Sequence, residues 1–380
     1  MKKLNILFLS SWYPNKKSPT LGNFVQRHAK AVATQHNVFV LFATSLPDLK
    51  KPFSIEKNQE GNLTEVIVYY KNPLTKIEKL LFVYKALQLG FNEISKTCKL
   101  DLVHLNVIRP LGFFALYLKW FYKLKYIITE HWTGFLPENN YFETLSLFER
   151  KLIQITGKKA EKICPVSDNL GQNMGLKGLA NYYISIPNVV DFEIFHPQEK
   201  IGNYFLHVSH LKQNHKNIFG TLEAFEKFTR DRKDVKLKIV GDEETQHVVE
   251  KIKSLGIETK VEILGAQQSE DIAKLMQGCL AFILFSNYEN LPCVLEEAQA
   301  CGSRIISTNV GGIEEHFKHD EENVFLLKPN EVDKLAEGLE IFYQKLYSFE
   351  NKKLRSEMAR QKFSVEAIAS QYNLIYQTVV

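Results

Sequence analysis

Residues 281–303 read AFILFSNYENLPCVLEEAQACGS: an apolar run, a polar loop, and a second apolar stretch that begins at a proline. The run AFILFS has the length and composition of a strand buried on both faces. Pro292 favours the first turn of a helix and Gly302 favours its exit, so the pattern predicts a helix over 292–301. The stretch is therefore one strand–loop–helix unit, the repeating element of a parallel sheet.

The same alternation of strand and helix continues in both directions along the chain. In the second half, further strand-like runs are YFLHVS (204–209), VKLKIVG (235–241), VEILG (261–265), RIIST (304–308) and NVFLL (323–327). In the first half they are LNILFLS (4–10), NVFVLFA (37–43), VIVYY (66–70), DLVHL (101–105), YIIT (126–129) and KICPVS (162–167). Helical patterns separate these runs. Two such series predict an α/β protein with two Rossmann-like parallel-sheet domains, joined near IPNVVDFEIFHP (186–197).

Length and composition exclude several classes of protein. A chain of 380 residues with 45% hydrophobic and 24% charged residues is typical of a globular protein with more than one domain. The start, MKKLNILFLSSWYP, resembles a signal peptide, but Asn5 interrupts the apolar stretch and no small-residue cleavage site follows. We interpret Leu4–Ser10 as a first buried strand and expect the chain to be cytoplasmic. The five cysteines are scattered, which favours buried reduced thiols over a metal site or disulfides.

The charge is distributed unevenly between the two halves. Residues 1–190 hold 25 Lys and Arg against 13 Asp and Glu, a net charge of +12. The rest of the chain holds 48 − 25 = 23 basic and 43 − 13 = 30 acidic residues, a net charge of −7. Phosphorylated substrates, a membrane surface and nucleic acid are the anionic partners that such a basic half could meet. The lysines are dispersed and no nucleic-acid-binding module is recognisable, so nucleic acid is the least favoured of the three.

Helical spacing separates the three glutamates of the opening stretch. At about 100° per residue, Val294, Leu295 and Ala298 share one face of the predicted helix. Glu296 falls nearly opposite that face and is predicted to be solvated, whereas Glu297 falls at its edge and Glu289 precedes the helix. The helix N-terminus is an anion site at the carboxyl end of a strand. Carboxylates beside a phosphate site would repel the phosphate unless they reach past it to hydroxyl groups. A nucleotide-sugar supplies both phosphates and hydroxyls.

The segment ENLPCVLEEAQACG resembles the E-x7-E signature of the family 4 retaining glycosyltransferases, which have the GT-B fold. Other segments match in chain order: SSWYP…PTLGNFVQRHAKAV the glycine loop and first helix, TEHW (129–132) the histidine segment, VSHLKQNHKN (208–217) the phosphate loop, VGDEE (240–244) the next strand end, and STNVGGIEE (307–315) the following loop. The resemblance implies two domains that face each other across a cleft, spanning 1–188 on the acceptor side and 189–362 on the donor side. It also implies that a last helix, 363–380, packs back on the first domain.

The resemblance also implies roles for individual residues. Glu289 would contact the hydroxyls of the donor sugar and Glu297 those of the ribose. Lys216 would bind the diphosphate, with His210 at the position of the family's arginine and Lys212 as another cation that could share its role. The remaining donor contacts implied by the resemblance are Gly22, the backbone at Asn290 and Leu291, and the helix amides of Cys293 and Val294.

Histidines elsewhere receive different interpretations. His131 follows the strand YIIT, and the resemblance implies that it contacts the donor sugar at the reacting centre. His28 and His36 are interpreted as structural or surface residues, and His104 is a weaker site candidate at a strand end. The lysines interleaved with aromatic residues in 113–126 could lie against a membrane.

The resemblance implies an enzyme that transfers a sugar from a nucleotide-sugar, a UDP- or GDP-sugar, to an acceptor hydroxyl with retention. No D-x-D motif occurs, so no metal and no other cofactor is expected. The acceptor is expected to be a glycan or a lipid-linked glycan in polysaccharide, lipopolysaccharide or glycolipid synthesis, with peripheral contact to an anionic membrane and no nucleic-acid partner. The alternatives are a GT-B nucleotide-sugar epimerase, an inverting glycosyltransferase and, remotely, a basic nucleic-acid-binding protein.

Overall fold

The computed structural model describes residues 2–179, 182–241 and 245–380. Val190–Ser364 forms one compact unit, and Val365–Val380 joins the unit that ends at Val189. The boundaries expected from the sequence, 188 and 362, differ from these by one and two residues. The prediction of two α/β units built on parallel sheets is confirmed.

The first unit is built on a sheet whose strands are connected by helices. In chain order its strands are β1 Asn5–Ser10, β2 Asn37–Leu46, β3 Phe53–Glu60, β4 Leu63–Lys71, β5 Leu102–Asn106, β6 Tyr126–Glu130 and β7 Lys162–Pro165. Its helices up to residue 176 are α1 Asn23–Ala33, α2 Lys76–Ser95, α3 Gly112–Tyr122, α4 Tyr141–Thr144, α5 Leu147–Lys159 and α6 Asp168–Leu176, with a 3-10 turn at Thr133–Phe135. The strand order is β3-β4-β2-β1-β5-β6-β7, and only the β3–β4 pair among these described strands is antiparallel.

The second unit repeats this architecture. Its strands are β8 Tyr204–Val208, β9 Lys236–Val240, β10 Val261–Ile263, β11 Phe282–Leu284, β12 Ile305–Thr308 and β13 Val324–Leu327. Its helices are α7 Gln213–Lys216, α8 Ile218–Phe228, α9 Gln246–Leu255, α10 Ser269–Gly278, α11 Cys293–Ala300, α12 Ile313–Phe317, α13 Val332–Gln344 and α14 Phe349–Phe363. All pairings in the order β10-β9-β8-β11-β12-β13 are parallel. The carboxyl ends of these strands therefore meet at one edge, where open α/β sheets bind their ligands.

The chain ends in helix α15, Val365–Val379, which packs against α1 in the first unit. Its buried residues include Ile368, Ala369, Tyr372 and Tyr376, and they join the core made by β1 and α1. The hydroxyl of Tyr376 lies 2.7 Å from Nδ1 of His104, whose Nε2 lies 2.7 Å from Oγ1 of Thr129. His104 is thus a core residue that bridges two elements, and the suggestion that it is a site residue receives no support from its position.

Sequence patterns did not indicate strand β3 and helix α14, for physical reasons. Strand β3, FSIEKNQE, is an edge strand whose side chains are mostly exposed, so it lacks an apolar run. Helix α14, FENKKLRSEMARQKF, has no apolar stripe because charged side chains occupy buried positions. Arg355 is buried there in an ion pair with Asp320, and Lys352 donates to backbone carbonyls.

No helix within the described ranges is long and apolar enough to cross a bilayer.

Candidate functional site

The loop between β11 and α11 carries a buried charged side chain at the carboxyl edge of the second sheet. Glu289 lies in this loop with only 5% of its surface exposed. Its Oε1 accepts a hydrogen bond from Oγ of Ser286 at 2.7 Å and is ion-paired with Nζ of Lys216. Lys216 ends α7, which follows β8, and β8 is the direct neighbour of β11 in the sheet. The fold therefore brings together two residues that are 73 positions apart.

The surroundings of Glu289 determine its ionisation. Burial by itself would raise the pKa of the carboxyl, but the positive charge of Lys216 and the contact with His215 outweigh burial and lower the pKa to about 2. Glu289 is consequently a carboxylate at neutral pH. It can accept hydrogen bonds from hydroxyl groups, but it has no proton to donate to a leaving group.

His215 is a member of this cluster that sequence reasoning missed. Its Nε2 lies 3.5 Å from Oε2 of Glu289, and its Nδ1 lies 3.1 Å from Nε2 of His210. Its ring stacks on Tyr288 with centroids 4.3 Å apart and planes 2° apart. The only sequence signal was its position directly before Lys216. His210 stands at the position of the family's arginine. It contacts His215, and His215 in turn contacts Glu289.

A cavity of about 810 Å³ lies beside the His210–Lys216 loop. Its lining is rich in amide side chains and includes one lysine and one histidine: Lys212, Gln213, Asn214, Asn217, His247, Asn287 and Asn330. This volume lies within the range of ligand sites for small molecules.

The first turn of α11 follows the loop directly, as predicted. Pro292 precedes the helix and has no side chain that could cap it, and the first turn begins with Cys293 and Val294. Asn290 and Leu291 are each 5% exposed, which places their backbone against the protein. The carbonyl of Asn290 accepts a hydrogen bond from the backbone N–H of Gly312 at 2.7 Å.

Gly311 explains how closely the next loop approaches the site. Its φ is +57°, and a Cβ at this position would lie 1.8 Å from the carbonyl oxygen of Glu289. The segment STNVGGIEE is therefore packed directly against the backbone of Glu289 and Asn290. Only glycine satisfies both the left-handed backbone and this contact.

The prediction that Glu296 is solvated was wrong. Glu296 is fully buried, and Glu297 is 6% exposed. The reason is α14, the helix that sequence patterns missed, because it packs on α11 and covers the face that was expected to meet water. A Cβ on Gly302, just after α11, would lie 2.6 Å from the backbone oxygen of Lys352 in α14. Burial of Glu297 at the edge of the helix, as its spacing indicated, leaves it as the candidate ribose contact.

Gly22 and His131 belong to the first unit. Gly22 has a φ of +65° at the N-terminus of α1, and a Cβ there would lie 2.4 Å from the carbonyl oxygen of Trp12. The next residue but one, Phe24, packs on the ring of His131 with centroids 4.5 Å apart. The glycine turn and the histidine segment therefore meet through Phe24.

His131 directly follows β6, is half-buried, and packs against the rings of Phe24 and His28. Burial, together with the nearby His28 and His104, holds the pKa of His131 well below its ordinary value. The pKa of His28 is lowered to about 3, chiefly by burial. His131 is consequently a neutral imidazole, able to donate or accept one hydrogen bond without bringing charge. His28 and His36 are both buried, which agrees with their structural interpretation.

Glu130 holds the backbone of the histidine segment. Its Oε1 accepts hydrogen bonds from the N–H groups of His131 and Trp132, each at 2.9 Å. Its Oε2 accepts one from the N–H of Ile108 at 2.9 Å. The carboxyl is fully buried, and burial raises its pKa to about 7 despite these three donors. Glu130 belongs to the TEHW segment, whose sequence pattern gives no signal for this role.

Residues 242–244 of the VGDEE segment lie outside the described residues. Across the ranges that the structure describes, no group of three His, Cys, Asp or Glu side chains converges as a metal site.

Solved structures share this fold over the whole chain. A sucrose-phosphate synthase from Thermosynechococcus elongatus matches with a TM-score of 0.78 and 18% identity, covering 99% of each chain. Anabaena HepE, solved in complex with UDP-glucose, matches with a TM-score of 0.71 and 18% identity over 99% of this chain and 100% of that one. The fold is therefore that of the GT-B enzymes.

Sequence comparisons agree with this class. Residues 191–362 match the family model described as glycosyl transferases group 1. The N-acetyl-alpha-D-glucosaminyl L-malate synthase of Bacillus anthracis is 32% identical over 180 residues, 46% of this chain and 45% of that protein, so the matched part is less than half of its length. An uncharacterized glycosyltransferase of Methanocaldococcus jannaschii is 25% identical over 330 residues, 85% of this chain and 87% of that protein. Residues 191–362, which make up most of the second unit, therefore match a glycosyl transferases group 1 domain, and the relative that matches most of the chain is named as a glycosyltransferase.

Proposed function

We propose that the protein transfers a glycosyl group from a nucleotide-sugar to an acceptor hydroxyl with retention of anomeric configuration and without a metal. The observation that carries this proposal is the buried Lys216–Glu289 pair in front of the first turn of α11. A cation and a helix N-terminus favour a diphosphate, and a carboxylate with a pKa of about 2 favours sugar hydroxyls. The arrangement supplies both halves of a nucleotide-sugar with matching groups.

The ionisation of Glu289 argues against its use as a general acid. A group with a pKa of about 2 gives a negligible fraction of protonated form at neutral pH. Glu289 is therefore proposed to hold the donor sugar, and the departing phosphate is proposed to take the proton of the acceptor hydroxyl. Lys216 and the α11 amides would stabilise the negative charge that develops on the leaving diphosphate.

The remaining predicted residues keep the roles that the resemblance gives them. Glu297 is proposed to bind the ribose hydroxyls. His210 is proposed to assist Lys216 at the diphosphate. His131, a neutral imidazole, is proposed to contact the donor sugar as a hydrogen-bonding group.

The donor is proposed to be a UDP- or GDP-sugar. Anabaena HepE is described in complex with UDP-glucose, and a curated relative in Mycolicibacterium hassiacum is named as a mannosyltransferase, with 28% identity over 40% of this chain. The acceptor is proposed to be a glycan or a lipid-linked glycan. A Vi polysaccharide biosynthesis protein of Salmonella typhi, 36% identical over 27% of this chain, supports a role in polysaccharide synthesis. A lipid-linked acceptor would place the enzyme at the cytoplasmic membrane face as a peripheral protein.

The test is a thermal-shift screen of UDP-, GDP- and ADP-sugars, followed by turnover of the stabilising donor with and without EDTA. We expect one nucleotide class to raise the thermal midpoint and turnover to survive EDTA. Loss of turnover in EDTA, restored by a divalent cation, would contradict metal independence. NMR of the product gives the anomer, so an inverted product would indicate an inverting transferase. Epimerised donor formed without an acceptor would indicate an epimerase.

A further inference from the structure

The first half of α2 and the segment before it expose apolar side chains to solvent. Leu74 is 93% exposed, Ile77 72%, Leu80 68% and Leu81 62%. The buried residues of α2 begin only at Ala86. The first turns of this helix therefore contribute little to the core of the unit and present leucine and isoleucine outward.

These side chains lie on one side of α2. At about 100° per residue, Ile77, Leu80, Leu81 and Tyr84 fall within an arc of about 100°. Lys76 and Lys85 flank the arc on its two sides, and both are exposed. This is the pattern of a helix that lies in a membrane interface, with apolar side chains inserted and lysines at the level of the headgroups.

The end of α3 extends the same surface with aromatic residues. Trp120, Phe121 and Tyr122 are consecutive and all exposed. Tyr117 connects the two helices, because its ring lies 5.8 Å from that of Tyr84 and 5.0 Å from that of Phe121. Tryptophan and tyrosine are enriched at membrane–water interfaces, where one end of the ring is apolar and the other is wet.

We call this surface the α2/α3 face and define it by its exposed apolar residues and by the two sequence segments that carry them. The apolar residues are Leu74, Ile77, Leu80, Leu81, Tyr84, Trp120, Phe121 and Tyr122. The segments are residues 71–85 and 119–125. They contain seven lysines, at 71, 76, 79, 85, 119, 123 and 125, and one acid, Glu78, and Lys119 is ion-paired with Glu161 outside the segments.

The lysines of the α2/α3 face, together with its exposed apolar side chains, distinguish among three possible partners. A second copy of the chain docked face to face would set lysines against lysines, which is unfavourable. A nucleic acid would match the lysines but would leave exposed leucines against phosphates. An anionic bilayer matches both features, because its headgroups attract the lysines and its acyl chains accept the leucines and aromatic rings.

We propose that the α2/α3 face docks the protein on an anionic phospholipid bilayer. The proposal is independent of the reaction proposed above, since it rests on residues that take no part in donor binding. Docking through this face would bring the first unit to the surface where a lipid-linked acceptor resides.

The test is sedimentation of the full chain with two kinds of vesicle, one of phosphatidylcholine alone and one with about a third of phosphatidylglycerol. We expect binding to the anionic vesicles to be at least roughly ten-fold tighter and to weaken with salt. The variant Leu80→Glu/Leu81→Glu is expected to lose roughly ten-fold or more of this binding. The variant Lys76→Gln/Lys79→Gln/Lys85→Gln is expected to lose roughly a hundred-fold at low salt.

A matched control is Leu346→Glu, a change at a side chain that is 95% exposed in the other unit, and it should bind vesicles like the wild type. Circular dichroism and the thermal midpoint should be the same for all variants, because every substituted side chain is exposed. Equal binding to both kinds of vesicle would overturn the proposal, as would wild-type binding by Leu80→Glu/Leu81→Glu. A dimer in solution that Leu80→Glu/Leu81→Glu dissociates would overturn it too, and would make the face a self-interface.

Discussion

Lys216 and Glu289 form a buried ion pair that connects the loops following two adjacent strands of the second sheet. Their side chains are 9% and 6% exposed, so neither charge is hydrated as it would be at the surface. Each charge consequently depends on the other, because an isolated buried charge is strongly unfavourable. The same pair that the donor is proposed to meet also connects the two loops at the edge of the sheet.

Removing one partner should therefore cost much more than removing both. We expect Lys216→Met to destabilise the protein by about 3–5 kcal/mol, which corresponds to a fall in the thermal midpoint of roughly 10 °C. Scanning calorimetry without donor measures it. In the double variant Lys216→Met/Glu289→Leu most of the loss should be recovered, and a loss equal to the sum of the two single changes would contradict the dependence.

A surface pair provides the control for that experiment. Lys227 and Asp333 lie 2.6 Å apart, but their side chains are 40% and 88% exposed. Lys227→Met should change stability by less than about 1 kcal/mol, because exposed pairs contribute little.

Glu130 should make stability depend on pH in the opposite sense from an ion-paired carboxylate. Its pKa is about 7 in the folded protein against an ordinary value of 4.5, so the native state keeps the proton to higher pH than the unfolded chain. Stability from this group is full below about pH 4.5 and is lost as pH rises to about 7, by roughly 3 kcal/mol. Glutamine cannot ionise, so the stability of wild type relative to Glu130→Gln should fall over that window and then level off.

Urea unfolding of the two proteins at several pH values measures this difference. Glu138→Gln is the control: it makes the same substitution at an exposed carboxyl eight residues further along the chain. A flat difference for Glu130→Gln would show that burial does not raise the pKa of Glu130.

Gly311 should be the most sensitive glycine of the proposed donor site. Gly311→Ala would place a Cβ 1.8 Å from the carbonyl oxygen of Glu289 and must displace that backbone. Gly256 has a similar φ, +65° against +57°, and nothing lies within 4 Å of its Cβ position. Both alanine variants lose about 1–2 kcal/mol from the left-handed backbone, but only Gly311→Ala should also lose donor affinity, by roughly ten-fold or more. Titration calorimetry with the stabilising nucleotide-sugar compares them.

The sequence predicted those parts of the fold whose signal is local. Continuous apolar runs identified most strands, because strands of parallel sheets are buried on both faces and need no alternation. Strand β3 and helix α14 were not predicted. Strand β3 lies at the edge of its sheet and lacks an apolar run, and helix α14 buries charged side chains. The burial of Glu296 could not be predicted. Helical spacing identifies the side of α11 that faces away from the sheet, but whether water reaches that side depends on α14, which packs there.

In the candidate site, the sequence pattern identified the residues in and before α11, but it did not identify the side chains that contact them. Pro292 and the glutamates stand in one short segment, so the signal is local. The ion pair of Glu289 with Lys216 was not predicted, because 73 positions separate the two residues and the resemblance gave each of them only a contact with the donor. His215 was missed because its contacts with Tyr288 and Glu289 exist only after β8 and β11 have paired, and Glu130 because its three donors come from backbone groups.

Alanine variants of Glu289 and Glu297 should differ in donor binding and turnover if Glu289 holds the sugar and Glu297 the ribose. We expect Glu297→Ala to weaken UDP and the nucleotide-sugar alike, by roughly 10- to 100-fold, since one charged hydrogen-bond acceptor is lost to both. Glu289→Ala should lower kcat by roughly 100-fold or more without weakening UDP, because UDP has no sugar for Glu289 to contact. Titration calorimetry with UDP and steady-state assays with the full donor measure the two effects, and Glu289→Gln tests whether the charge itself is needed. If both alanine variants bind and turn over donor as the wild type does, neither glutamate belongs to the donor site. If they show the reverse pattern, the sugar and the ribose occupy exchanged positions along α11.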